Sequence, residues 1–64
     1  MKRRDLERHL RSHGASLLRE GGRHSYWGID AARSAAIPRH REIAHPLARK
    51  ICKDLGIPPP TGSR

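Results

Sequence analysis

Gly14 and the pair Gly21-Gly22 constrain this chain more than any other feature, because they cut residues 15–20 into a separate short segment. A helix there would be shorter than the length at which nucleation is repaid. Ser16-Leu17-Leu18-Arg19 therefore reads as a strand, although leucine accepts helix and strand alike. Gly21-Gly22 then makes a hairpin turn, since glycine tolerates the positive φ that tight hairpin turns require. Residues 25–29 carry Tyr26, Trp27 and Ile29, a set suited to a pleated, half-buried surface. Alternation puts Trp27 and Ile29 on one face and His24 and Tyr26 on the other. With the larger apolar pair turned to the core, His24 points outward.

The flanks read differently. Over residues 2–13, Leu6 and Leu10 recur at i, i+4, with His9 and His13 on adjoining positions, which is helical spacing. Glu7 and Arg11 are placed to pair on the exposed side, worth about 0.3 kcal/mol. Gly14 stands where a left-handed residue closes a helix, and Arg3, Arg4, Arg8 and Arg11 make the outer surface basic. After a second turn over residues 30–32, residues 33–37 form a short third strand ended by Pro38. Alanine is a poor strand former, so a short helix is the rival reading for this segment. His45-Pro46 opens a second helix with proline at its first position. Leu47, Ala48, Ile51, Cys52 and Leu55 make one apolar stripe, with Arg49, Lys50 and Lys53 outside it. Gly56 stops this helix, Ile57 folds back onto Cys52, and Pro58-Pro59-Pro60 prevents resumption. The expected architecture is α+β: helix, three-stranded antiparallel sheet, helix, with both helices on one face. Residues 1–57 form the domain and residues 58–64 a disordered tail.

At 64 residues there is room for one small domain. Cys52 is the only cysteine, which excludes an internal disulfide and a cysteine-rich zinc site. Fourteen Lys and Arg stand against six Asp and Glu, a formal net charge of +8. Such a density of charge points to a polyanionic partner bound through counterion release. Tyr26 and Trp27 are the only aromatic residues besides the histidines, too few for a platform of stacked bases. No stretch is long and apolar enough for a membrane span, and no apolar core follows Met1-Lys2-Arg3-Arg4. No membrane association is expected, and the expected compartment is the cytoplasm.

Three stretches together resemble the HicA toxins, a family of bacterial and archaeal proteins. They are Gly22-Arg23-His24 with Trp27 three positions on, then Ile37-Pro38-Arg39-His40-Arg41-Glu42-Ile43, then Leu47-Ala48-Arg49-Lys50-Ile51-Cys52-Lys53-Asp54-Leu55-Gly56. The resemblance covers residues 2–58. It implies a double-stranded-RNA-binding-domain-like α-β-β-β-α fold and an mRNA interferase that inhibits translation and growth. It also implies a HicB antitoxin, and a basic toxin suits an acidic partner. The family's catalytic histidine falls on His24, and its Pro-x-His element on Pro38 and His40. Many members carry a small hydroxyl residue where this chain has Arg23.

Residue chemistry supports the same assignment. RNA carries its own nucleophile, the 2′-hydroxyl, and needs a base to take its proton. Histidine fits, because an unperturbed imidazole titrates at ~6.5, near working pH. His40 is the first candidate for protonating the leaving 5′-oxygen; alternatively His24 acts alone, or water supplies that proton. Arg39 and Arg41 are candidate stabilisers of phosphorane charge. Arg23, Tyr26, Arg49, Lys50 and Lys53 complete the expected RNA contacts. No carboxylate cluster is available for paired metal ions, so cleavage without metal or other cofactor is expected. His9 and His13 mimic a metal pair but lack a third ligand, and read better as flanks of the leucine stripe. His45 reads as a helix-start residue, Cys52 and Trp27 as core. The competing functions are a non-catalytic binder of structured RNA and a cationic protein contacting ribosomes or DNA by charge alone.

Overall fold

A computed structural model describes residues 1–30 and 32–60. Its elements are α1 (Arg3–Ser12), β1 (Ser16–Glu20), β2 (His24–Asp30), β3 (Arg33–Pro38) and α2 (His45–Leu55). The strands form one antiparallel sheet in the order β1-β2-β3. The buried faces of both helices join one cluster with the inner face of the sheet. The α+β architecture and the α-β-β-β-α order are thus as expected.

Both helices end alike. After α1, the Gly14 N–H donates to the Arg11 carbonyl (3.1 Å) and the Ala15 N–H to the Leu10 carbonyl (3.0 Å). After α2, the Gly56 and Ile57 N–H groups make the same pair of bonds to Lys53 and Cys52, each 3.0 Å. Gly14 at φ +90° and Gly56 at φ +73° supply the left-handed residue this closure needs. The start of α2 differs slightly from expectation. Ala44 is the cap and His45 the first helical residue, so Pro46 is second, where its missing N–H is still harmless.

Neither hairpin glycine takes positive φ, and only Gly21 has a close approach that favours glycine. Among the described residues only Gly14 and Gly56 take positive φ. Gly21 instead donates to the His24 carbonyl (2.8 Å), and a Cβ there would sit 3.1 Å from both that oxygen and the Tyr26 ring. It is the close approach of backbone and ring that keeps Gly21 bare.

Leu17 pairs with Trp27 and Arg19 with Tyr26, leaving Leu18 as an extra, bulged residue. Residues 33–37 are strand, extended to Pro38, and not helix. Pairing decides this: Ala35 lies opposite Trp27 and Ile37 opposite Ser25, both on the buried face. Tertiary context thereby overrides alanine's weak strand preference.

Trp27, Leu6, Leu10, Ile37, Ile43, Ile51 and Leu55 fill the core, with Cys52 beside them. Burial pushes the Cys52 thiol above its usual value, as suits a packed, unreactive cysteine. The expected Glu7–Arg11 pair is replaced. Glu7 lies 3.6 Å from Arg3, and the Arg11 guanidinium sits 4.9 Å over the Trp27 ring. A cation over a buried indole outweighs an exposed i, i+4 ion pair.

Asp30 organises the β2–β3 turn, of which Ala31 lies outside the described residues. Its Oδ1 accepts from the Ala32 and Arg33 N–H groups (2.9 and 3.0 Å), and its Oδ2 faces Arg33 Nη2 at 3.0 Å. The Arg33 side chain first, then the Ala32 N–H, holds the carboxyl below its ordinary value of 3.8. A depressed carboxyl contributes stability above the unfolded value and loses it as pH falls through the folded one. Wild-type protein is therefore expected to lose more stability than Asp30→Asn as pH falls below about 4. Urea midpoints measured down that range check this, and parallel curves would refute it.

Of the expected tail, residues 61–64 lie outside the described residues. The Pro58 carbonyl is 2.9 Å from His9 Nε2.

Candidate functional site

Strand β2 begins at His24, directly opposite Pro38 of β3. Alternation turns Ser25 and Trp27 to the core and leaves His24 and Tyr26 half-buried on the opposite face, as expected. Arg19 crosses to the same face, its guanidinium 4.6 Å over the Tyr26 ring. Tyr26 thus has a cation on one ring face. Arg19 is not among the RNA contacts expected from the sequence; the bulge at Leu18 brings it there, and spacing does not reveal a bulge.

The turn that carries His24 is tied down by Arg39. Its N–H donates to the Arg23 carbonyl (3.3 Å) and its Nη1 to the Gly21 carbonyl (3.2 Å). The same Nη1 lies 3.6 Å from Glu20 Oε1, which accepts from Ser25 Oγ at 2.9 Å. Arg39, expected to meet substrate, also braces the hairpin. Nothing in the sequence singles out Glu20 and Ser25. Only their juxtaposition across β1 and β2, as opposed residues, explains them.

His40 is exposed and follows two residues after the Pro38 that faces His24. Among the described residues no hydrogen bond joins the two histidines, so the structure sets their segments side by side without linking the rings. Arg23 is exposed in the turn.

The loop after β3 is where the chain's start docks. Lys2 bridges to Glu42, the Arg3 N–H donates to the Arg41 carbonyl (2.9 Å), and the Ile43 N–H to the Met1 carbonyl (2.7 Å). This brings Lys2, Arg3 and Arg4 beside Arg39 and Arg41, and these five line one open cleft of about 630 Å³. In the sequence, Arg3 and Arg4 read only as part of a basic outer surface.

Arg49, Lys50 and Lys53 are exposed on α2, whose opposite side buries Ala48, Ile51, Cys52 and Leu55. They face away from the sheet and are not brought together with His24. Lys50 is also engaged by Asp54 at 3.1 Å.

No group of three or more His, Cys, Asp or Glu gathers among the described residues. His9 and His13 lie 4.6 Å apart ring to ring, and His13 Nδ1 is 3.1 Å from the His9 carbonyl. Among the described residues no helix is long and apolar enough to cross a membrane.

A small basic α+β domain with a histidine at the start of its central strand and a cationic cleft is the class these features define. The family model described as the HicA toxin of bacterial toxin–antitoxin systems matches residues 3–57. The chain belongs to that family, and its role is that of the toxin in a toxin–antitoxin pair. Neither curated proteins nor solved structures give a match.

Proposed function

We propose that this toxin is a metal-independent endoribonuclease that cleaves mRNA in the cytoplasm, with His24 as general base, and that a HicB-like acidic antitoxin holds it in check. The observation that carries this reading is the placement of His24. It is half-buried on the sheet face away from both helices, in a turn held by Arg39, which also lines a cleft of Lys and Arg side chains. His24 takes the proton of a 2′-hydroxyl, and the freed oxygen attacks the adjacent phosphorus. The bond to the 5′-oxygen breaks, and that oxygen takes a proton from His40 or from water. The products are a 2′,3′-cyclic phosphate and a 5′-hydroxyl. Arg23, which adjoins His24, and Arg39 and Arg41, which flank His40, are the cations for the developing phosphorane charge.

One substrate change tests the chemistry. A single 2′-deoxy nucleotide at the cut site is expected to block cleavage there, since the nucleophile is gone. Binding is expected to persist, because most of it comes from phosphate contacts and falls steeply with salt. Cleavage that survives the 2′-deoxy change, or that EDTA abolishes and Mg²⁺ restores, would sink the mechanism. Binding of RNA with no cleavage of any RNA would instead favour a non-catalytic binder of structured RNA. The exposed cations of α2, remote from His24, are the observation on that side.

A further inference from the structure

We propose that the cleft between the start of α1 and the β3–α2 loop is a phosphate-binding subsite, which holds RNA backbone beyond the scissile bond. The proposal rests on the ribonuclease reading and extends it to how much RNA the enzyme grips. Five cations line the cleft: Lys2, Arg3 and Arg4 from one segment, Arg39 and Arg41 from the other. Like charges drawn together repel one another unless an anion lies between them. The acidic groups nearby are all engaged, two of them with the cleft's own Arg3 and Arg39. Glu42 holds the Met1 amine (3.0 Å), Glu7 lies against Arg3 (3.6 Å), Asp5 against Arg8 (3.9 Å), and Glu20 against Arg39 (3.6 Å). Among the described residues, Lys2, Arg4 and Arg41 form no ion pair. The cleft therefore keeps a net positive charge that the fold itself does not neutralise.

The lining also says what kind of anion fits. Among the described residues no aromatic or aliphatic residue lines the cleft, so it offers a base no aromatic ring to stack on. It also lacks the buried apolar anchor on which a protein partner's affinity usually depends. A lining of cationic side chains suits phosphate, whose contacts position a nucleic acid without reading its sequence. The volume, about 630 Å³, accommodates a group of nucleotide size. Arg39 links the two places: it lines the cleft, and its Nη1 bonds the Gly21 carbonyl in the turn that leads to His24. A phosphate seated in the cleft is thereby registered against the histidine. The enzyme then gains affinity from RNA that extends past the cut, and a dinucleotide forfeits that gain.

The test compares the full chain with Lys2→Ala/Arg4→Ala and with the single exposed change Arg4→Glu, each checked for an unchanged thermal midpoint. Cleavage is followed on a long RNA and on a dinucleotide. The advantage of the long RNA in kcat/KM is expected to shrink about tenfold or more in both variants, through KM. The slope of log affinity against log salt is expected to fall by about 1 for each phosphate that a variant no longer neutralises. Lys2→Arg is expected to retain the wild-type advantage. An unchanged advantage and salt slope would overturn the proposal, as would equal losses on long and short substrates. Weakened binding of an acidic antitoxin with RNA binding intact would overturn it in favour of a protein partner. Thermal stabilisation by inorganic phosphate with RNA binding unaffected would overturn it in favour of a free anion. If the wild type cuts no RNA, the ribonuclease reading fails separately. The subsite is then judged by RNA affinity and salt slope alone, and equal values in wild type and variants would overturn it.

Discussion

Replacing His24 with alanine is expected to slow RNA cleavage by about 10²- to 10⁴-fold, the usual worth of a positioned general base, while the domain stays folded and still binds RNA. The fold tolerates this change because His24 serves it through its main chain. Its carbonyl accepts the Gly21 N–H (2.8 Å), and its backbone pairs with Pro38. Alanine retains both. The imidazole is half-buried on the face away from the helices and is no part of the core cluster. A loss of rate with thermal midpoint and RNA affinity near wild type would therefore report chemistry. Single-turnover cleavage and fluorescence anisotropy with an uncleavable 2′-deoxy RNA measure the two quantities apart. Rapid cleavage by the variant would remove His24 from the mechanism. His40→Ala in the same assay tells whether a second imidazole takes part: a loss of comparable size means an acid–base pair, and a small one leaves the leaving-group proton to water.

The parts of this molecule that are legible in its sequence are those decided by neighbours in the chain. Leucines at i, i+4 and glycines closing both helices act over a few residues, and the glycines do close them with left-handed φ. Alternation along β2 likewise sends Trp27 inward and His24 to the other face. What spacing does not reveal depends on partners far along the chain. Gly21 does sit in a turn, but the reason is its approach to the His24 carbonyl and the Tyr26 ring. Arg11 looks free to meet Glu7 until the sheet puts an indole beneath it. The sharpest case is the cationic cleft. Residues 2–4 and 39–41 are each plainly basic, yet their meeting depends on Lys2 bridging to Glu42 and on Ile43 reaching the core. Arg49, Lys50 and Lys53 show the converse, since a basic stretch close to the candidate site in sequence lies on a different face of the fold.

Truncating Trp27 to alanine is expected to leave the domain largely unfolded, with activity lost for that reason and not through any chemical role. Trp27 is 1% exposed and is the largest of the fully buried side chains. Removing so large a buried aromatic costs about 3–5 kcal/mol. A chain of this length has about 3–10 kcal/mol of total stability, so the loss ranges from just under a third of the whole to all of it. Arg11 would also lose the ring it covers, and Leu17 and Ala35, the residues opposite, would border a void. Trp27→Phe is expected to be far milder. Its smaller ring leaves a smaller gap, and it removes the indole Nε1, which among the described residues is buried without a hydrogen-bond partner, a cost of about 1–3 kcal/mol in the wild type. Urea unfolding followed by circular dichroism separates these outcomes. A wild-type midpoint for Trp27→Ala would show that the inner face of the sheet is not what holds the domain together. RNA held more tightly by the folded form than by the unfolded chain is expected to raise the midpoint of Trp27→Ala by mass action and restore part of its cleavage. The same RNA cannot restore cleavage to His24→Ala, whose fold is intact. That difference under added RNA separates the residue that builds the sheet from the one that the sheet presents.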